Sequence, residues 1–196
     1  MLSDGVFAVA ITLLALDLRV PDPLAVHGGA ALLDRLGEQW PVYAAFVLSF
    51  VLMAEVWINH RRLFACLGRA SHGLLWSNAF LLLSVIAIPF ATSLLGQYVT
   101  GHGASGRRVA AVVYGATWAF GGLAFNLTWW QARHHSLLRG DLPADAVLRL
   151  THRWVLGAIF YTVSALVALI APWVSLLSLA VLGVLLVLPP PGPPPR

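Results

Sequence analysis

The sequence predicts an all-α protein that crosses a lipid bilayer about six times. Of its 196 residues, 59% are hydrophobic and 10% are charged, whereas a soluble domain averages about 25% charged residues. The mean hydropathy is +0.82. The apolar residues form long runs separated by short arginine-bearing segments, which is typical of a polytopic helical membrane protein. The runs do not alternate apolar and polar residues, as the strands of a transmembrane β-barrel do.

The charged residues and the single cysteine narrow the possible functions. The chain has twelve arginines and no lysine, and its isoelectric point is about 10. Because the arginines fall between the apolar runs, they indicate the orientation of a membrane protein, and we expect no nucleic-acid partner. Cys66 is alone, which excludes an intrachain disulfide and a cysteine-based zinc site. We expect one transmembrane domain over residues 1–188, with no metal centre and no cofactor.

The first predicted span covers residues 3–20. At about 1.5 Å per residue, a helix of this length just crosses a hydrocarbon core of about 30 Å. Pro21 and Pro23 follow and end the helix. A cleaved signal peptide is the alternative, but no basic segment precedes the run, and Asp4 stands where a positive charge is usual. The pattern therefore favours a membrane helix that is not removed.

Five further spans follow the first. A polar connector covers residues 22–39, and Trp40, at the start of the next run, suits the membrane interface. The remaining spans are expected at residues 40–60, 73–98, 108–131, 154–171 and 173–188.

The segments between and after these spans carry their own expectations. A basic linker with several histidines is expected at residues 133–153. The glycine-rich segment 101–106 follows no strand, so it lacks the context of a phosphate-binding loop. The proline-rich residues 189–196 cannot stay helical and should form an extended or disordered tail.

The distribution of arginines predicts the orientation. With both termini in the cytoplasm, eight arginines lie inside: Arg61, Arg62, Arg69, Arg133, Arg139, Arg149, Arg153 and Arg196. Four lie outside: Arg19, Arg35, Arg107 and Arg108. Cytoplasmic loops carry the excess of positive charge, so both termini are expected inside, and an even number of spans agrees.

Polar side chains within the spans are the candidate functional groups, because each needs a partner or a water-lined cavity in a bilayer. The set is Ser3, Asp4, Thr12, Glu55, Asn59, His60, Asn78 and Thr92. At the start of the first helix, Asp4 could simply cap the free backbone N–H groups. Its alternative role is a buried contact with His60, which is expected at the same membrane depth.

The first helix carries an apolar face. Val9, Leu13 and Leu16 are spaced i, i+4 and i+7, so they share that face, and Thr12 borders it. Spacing alone favours leucines that face lipid or pack, with the Thr12 hydroxyl bonded to its own backbone at i−4. A pore-lining face remains the alternative.

Three segments resemble the transmembrane protein 175 family of potassium channels, which occur in lysosomes and bacteria. In the first span, Asp4 is followed by a branched residue at five positions and by Thr, Leu and Leu from eight positions onward. The second and third spans contribute Ser49-Phe50, Trp57-Ile58-Asn59-His60-Arg61-Arg62-Leu63-Phe64, Asn78, Pro89-Phe90 and Thr92. Leu2 replaces the phenylalanine of the family signature, Val9 replaces the usual isoleucine, and the signature arginine would precede Met1. Beyond Tyr98, only the number of helices agrees.

The resemblance implies a function and roles for particular residues. Bacterial members are tetramers of six-helix subunits whose first helices line the pore, which here implies a multi-pass channel for potassium ions in a bacterial plasma membrane. By this resemblance, Val9 forms the narrow ring, Leu13 and Leu16 continue it, and Thr12 offers hydroxyl oxygens. A polar network is expected at Ser3, Asp4, Trp57, His60 and Asn78. The carbonyl filter sequence Thr-Val-Gly-Tyr-Gly is absent from the chain.

Two other functions remain open at the level of sequence. Glu55 is an ionisable residue within a span, so Glu55 and His60 could serve a proton-coupled cation transporter. A metal-dependent membrane enzyme could use His134, His135 and His152, although neighbouring histidines in a basic linker more often lie at the surface. No His-Glu-x-x-His or Gly-x-Ser-x-Gly motif is present, and we expect no enzymatic activity.

Overall fold

The computed structural model describes residues 2–23, 28–100 and 103–187. Seven α-helices occupy these ranges: α1 Leu2–Leu14, α2 Gly29–Glu38, α3 Trp40–Ala65, α4 His72–Tyr98, α5 Gly103–His134, α6 Ala144–Ala168 and α7 Pro172–Val187. Helices α3 to α6 are each long and apolar enough to cross a membrane, and α7 is a shorter apolar helix. The predicted all-α membrane fold is confirmed. The predicted proline-rich tail lies outside the described residues.

Helix α1 is shorter than predicted. Its α-helical part ends at Leu14, a 3₁₀ turn covers Ala15–Asp17, and the helix does not continue to Val20. The chain turns at Asp17, whose side-chain Oδ1 accepts a 2.9 Å hydrogen bond from Ser93 Oγ on α4. A further backbone bond of 2.9 Å joins Arg19 N to the Asp17 carbonyl oxygen. The Ser93 bond holds the end of the helix against α4, and the Arg19 bond closes the turn that follows. The prediction of a helix to residue 20 was therefore wrong.

Helix α2 lies within the segment predicted as a polar connector. Its sequence contains alanines and leucines, which favour helix formation. None of its residues is buried, and Leu33 is exposed. Arg35 and Glu38 form an ion pair of 2.9 Å on its surface. The connector therefore contains an amphipathic helix that lies outside the core.

The predicted basic linker at 133–153 is also mostly helical. Helix α5 continues to His134, and α6 begins at Ala144 rather than at Trp154. Pro143 stands at the N-cap of α6, and Asp145 lies in the first turn, where an acidic side chain is favoured by the helix dipole. Arg149 pairs with Asp145 at i, i+4 over 2.5 Å. The loop is thereby reduced to residues 135–143.

Two loops meet at the end of the bundle where α3 and α5 finish. Leu67 and Leu138 form an antiparallel bridge, and Arg139 N donates to the Cys66 carbonyl oxygen over 2.9 Å. The Arg139 guanidinium bonds Asp141 at 2.6 Å, and this bond holds the pKa of that carboxyl below its usual value. The pairing fixes α3 to the α5–α6 loop.

Helix α4 packs against α1, α3 and α5, while α5 also packs along α6. Small residues permit close approach: a Cβ added at Gly115 of α5 would lie 2.9 Å from Ala165 Cα of α6. The core beneath α1 includes Leu52, Val85 and Tyr114. In this arrangement, α1 packs against the other helices along one side only.

Candidate functional site

Helix α1 has one packed face and one open face. Phe7, Ala10 and Leu14 are buried in the core. The exposed residues on the opposite side include Gly5, Ala8, Val9, Thr12 and Leu13 of α1 and Leu16 of the 3₁₀ turn that follows it. We call this set the open face of α1. The rest of the described chain leaves this strip of the helix uncovered.

The open face is apolar and carries one hydroxyl. Val9, Leu13 and Leu16 are 57%, 41% and 73% exposed. The Thr12 hydroxyl donates a 2.8 Å hydrogen bond to the Val9 carbonyl oxygen, at i−3 rather than the predicted i−4. Because the hydroxyl oxygen acts here as a donor, its lone pairs stay available to accept from water or to face a cation. The four residues predicted to line a pore thus share one exposed surface.

Asp4 is joined to α3 through Trp57. The Trp57 indole Nε1 donates to Asp4 Oδ1 over 3.2 Å. The Arg61 guanidinium lies over the Trp57 ring, 5.3 Å from its centroid. A cation in this position is attracted by the electron-rich face of the ring. Arg61 therefore supports the tryptophan that holds Asp4.

A second chain of hydrogen bonds connects α3, α4 and α1. His60 Nε2 and Asn78 Oδ1 are 2.9 Å apart, and Asn78 Nδ2 donates to Ser3 Oγ over 3.3 Å. The His60 ring is buried, stacks on Phe64 at 4.5 Å and tilts against Phe7 at 5.4 Å. Since Asn78 donates to Ser3, its carbonyl oxygen is the acceptor for His60.

The five residues of the predicted polar network thus form two bonded groups. Asp4 pairs with Trp57, and Ser3 pairs with Asn78 and His60. In these hydrogen bonds Asp4 and His60 have separate partners, and the predicted Asp4–His60 contact stays a prediction. Both groups reach the first turn of α1, so they fix the start of the helix on α3 and α4.

Two further polar groups join residues whose partners sequence reasoning did not supply. At the other end of α1, Ser93 bonds Asp17, and Gln97 Nε2 donates to Ser93 Oγ over 2.9 Å. The positions of Asp17 and Ser93 in the sequence give no indication that the two side chains contact each other. The open face is therefore held at both of its ends by hydrogen bonds to α4.

In the middle of the bundle, Ser49 Oγ lies 2.7 Å from Thr92 Oγ1 and 3.0 Å from the Tyr114 hydroxyl. These buried groups join α3, α4 and α5. Ser49 and Thr92 belonged to the segments that carried the family resemblance, but Tyr114 lies beyond them. A lone tyrosine in an apolar run gives no signal of such a partner.

The residues considered for other functions lie elsewhere. Glu55 Oε1 accepts from Arg153 of α6 at 3.0 Å and from Asn59 Nδ2 at 2.6 Å. His134 stacks on Trp130 and contacts His135 at the end of α5. Within ranges 2–23, 28–100 and 103–187, no group of three or more His, Cys, Asp or Glu is arranged to hold a metal ion.

Comparisons with known proteins agree on one family. The family model described as "Endosomal/lysosomal potassium channel TMEM175" matches residues 1–89. A protein described as a potassium channel from Streptomyces collinus is 38% identical over 172 residues, covering 86% of this chain and 80% of its own. Another protein so described, from Chamaesiphon minutus, is 36% identical over 174 residues, covering 88% and 84%.

A solved structure shows the same fold. The crystal structure of a lysosomal potassium-selective channel TMEM175 homolog from Chamaesiphon minutus aligns with a TM-score of 0.81 at 33% identity. The alignment covers 94% of this chain and 92% of that one. The likeness therefore extends beyond Tyr98, where the sequence resemblance was limited to the number of helices.

Proposed function

The chain belongs to the TMEM175 family, and on this premise we propose that it is a passive, potassium-selective cation channel. The observation that carries the proposal is the open face of α1, because an apolar helix face held at both ends suits a pore wall. Relatives that cover most of this chain are described as potassium channels. The family's crystal structure was likewise described as potassium-selective.

The proposed pore is formed by the α1 helices of four identical subunits. Four copies of the open face would enclose a path in which Val9 makes the narrow ring. Leu13 and Leu16 continue the apolar wall, and Thr12 supplies hydroxyl oxygens. An apolar constriction can close a pore by dewetting, and side-chain rings can select ions where no carbonyl filter exists. Potassium sheds its hydration water more readily than sodium, so a tight apolar ring favours potassium, with modest selectivity.

The polar groups at the two ends of α1 have separate proposed roles. Ser3, Asp4, Trp57, His60 and Asn78 hold the inner end of the helix and set the width of the ring. At the other end, Asp17 would bring negative charge to the mouth, where it raises the local concentration of cations. Salt would weaken that effect, because the screening length falls to about 8 Å at 0.15 M ionic strength.

The proposed location is a bacterial plasma membrane with both termini in the cytoplasm. The excess of arginines on the side of the α3–α4 and α5–α6 connections supports this orientation. The alternative of a proton-coupled transporter needs a carboxylate that can take up and release protons. Glu55 is bonded to both Arg153 and Asn59, so its charge already has a partner.

Ion flux from liposomes containing the purified protein tests the proposal. We expect passive potassium efflux that exceeds sodium efflux and needs no proton gradient. Flux that appears only with an imposed proton gradient would support the transporter instead. Empty liposomes and liposomes with heat-denatured protein are the controls for leakage.

A further inference from the structure

A partly open cavity of about 90 Å³ lies between α3, α4, α5 and α6, and Leu182 of α7 also lines it. Glu55 and Arg153 lie at its polar side, and Trp118, Phe125, Trp154 and Tyr161 supply aromatic walls. The residues of the open face of α1 are not among those that line it. The cavity is therefore separate from the proposed ion path, and its interpretation does not depend on the channel function.

The polar groups of the cavity are only partly satisfied. Asn59 donates to Glu55, but Asn59 Oδ1 has no hydrogen-bond partner within the described residues. The indole nitrogen of Trp154 also lacks a partner there, and Trp154 is 95% buried. A buried polar atom without a hydrogen-bond partner destabilises the fold, so most such atoms in proteins are bonded to another group. Trp118, another lining residue, has an indole nitrogen in the same condition, so among the described residues the lining offers one unpartnered acceptor and two unpartnered donors beside an ion pair.

One glycine in the cavity lining has room for a side chain. Gly157 of α6 lines the cavity, and a Cβ added there would meet no heavy atom within 4 Å. Glycine in a helix interior is less favourable than alanine. Gly157 gains no close helix contact in exchange, unlike Gly115, which lies against the backbone of α6. A larger side chain at position 157 can therefore be introduced beside the cavity without an immediate backbone clash.

From this geometry we propose that the cavity binds a small uncharged amphiphile, with an apolar ring or short chain and one hydroxyl group. The aromatic walls fit the apolar part, as in ligand pockets that are mostly apolar with a few convergent polar groups. The hydroxyl both donates and accepts, so it suits the side that holds Asn59, Trp154 and the Glu55–Arg153 pair. An ionised ligand is disfavoured because Glu55 and Arg153 already neutralise each other.

Binding of 4-fluorophenol to the purified protein in detergent, followed by ¹⁹F NMR, tests the proposal. The comparison probe is 4-fluorotoluene, which replaces the hydroxyl with a methyl group. We expect saturable binding of 4-fluorophenol and about tenfold weaker binding of 4-fluorotoluene. Equal affinities would overturn the polar part of the assignment. Absence of saturable binding would overturn the site and leave a cavity that holds water alone.

Two variants at one position separate the cavity from the detergent and from other surfaces. Gly157→Leu fills the space, and we expect at least a tenfold loss of 4-fluorophenol affinity. Gly157→Ala adds a single methyl group into open space and favours the helix, so it keeps the fold and should weaken binding by less. Affinity that is unchanged in both variants would overturn the proposal, because the probe would then be bound elsewhere.

Discussion

Trp57 donates its indole N–H to the Asp4 carboxylate over 3.2 Å, and this bond fixes the first turn of α1 on α3. The bond matters because α1 is packed on one side only. A helix whose other side is open depends on its ends for its position. The two residues lie 53 positions apart in the chain, so the contact is a property of the fold rather than of a local motif.

Removing the Asp4 carboxylate should loosen α1. We expect Asp4→Ala to lower the yield of tetramers or the potassium conductance, and Trp57→Phe to have a similar effect. If Asp4 and Trp57 act through one hydrogen bond, the double variant should lose little more tetramer yield or conductance than either single variant. Size-exclusion chromatography and liposome flux measure both quantities. Trp76→Phe is the matched control, since its indole bonds only His72 of its own helix in the described hydrogen bonds. Unchanged assembly and flux in Asp4→Ala would refute the role of Asp4.

The buried His60 depends on Asn78. Replacing Asn78 with alanine leaves the His60 Nε2 without its partner in the core, so we expect a loss of about 1–3 kcal/mol in the free energy of unfolding. Thermal unfolding of the purified protein measures the change. Gln97→Ala, which removes an exposed amide, should shift the midpoint far less. An equal shift of the midpoint in the two variants would show that the buried His60–Asn78 bond contributes no more to stability than an exposed one.

The width of the proposed constriction depends on Val9. Val9→Ala shortens the side chain at the narrow ring, so we expect sodium permeability to rise relative to potassium. Reversal potentials in planar bilayers measure this ratio. Val47→Ala on α3 is the matched control, because Val47 is exposed to a similar extent, 55% against 57%. A permeability ratio unmoved by Val9→Ala would remove Val9 from the pore.

Glu55 distinguishes the channel from the transporter. Glu55→Gln keeps the shape of the side chain but leaves Arg153 without its ionic partner. Arg153 is about one-third exposed, so we expect a modest loss of stability, about 1–2 kcal/mol, with passive potassium flux retained. Thermal unfolding and liposome flux are measured together. Loss of flux in a stably folded Glu55→Gln protein would favour the transporter.

Close packing of α5 on α6 depends on Gly115. A Cβ at this position would lie 2.9 Å from the backbone of Ala165, so Gly115→Ala should destabilise the protein by about 1–3 kcal/mol. Gly157→Ala is the matched control on α6, where a Cβ meets open space and the helix gains stability. Unfolding midpoints that move in the same direction for both variants would contradict this packing.

The long apolar helices could be predicted from sequence because their length and hydropathy are local properties. Helix α4 was predicted at residues 73–98 and is found at His72–Tyr98. The end of α1 was missed because it depends on Ser93, which lies 76 residues from Asp17. Helix α2 was not predicted because its polar residues interrupt a short run of strong helix formers.

In the candidate site, too, some features follow from the local sequence and others depend on tertiary packing. The shared face of Val9, Thr12, Leu13 and Leu16 follows from helical spacing, and the structure leaves that face exposed. Which helix binds Asp4, and which partner His60 takes, depend on tertiary packing that no spacing rule supplies. Glu55 was recognised as an unusual residue, but its partner Arg153 lies 98 positions away on α6. Sequence thus indicates which polar residues need partners, and packing decides which partners they receive.

The proposed position of the open face of α1 in the ion path is tested most directly by the access of a charged thiol reagent to that face. Leu16→Cys is made in a Cys66→Ser background, so that the reagent meets one thiol. The native Cys66 thiol is buried, and burial raises its pKa. We predict that a membrane-impermeant cationic methanethiosulfonate blocks potassium flux through Leu16→Cys but leaves Val47→Cys unaffected. Full flux after verified labelling of Leu16→Cys would contradict the account, because the open face would then lie outside the ion path.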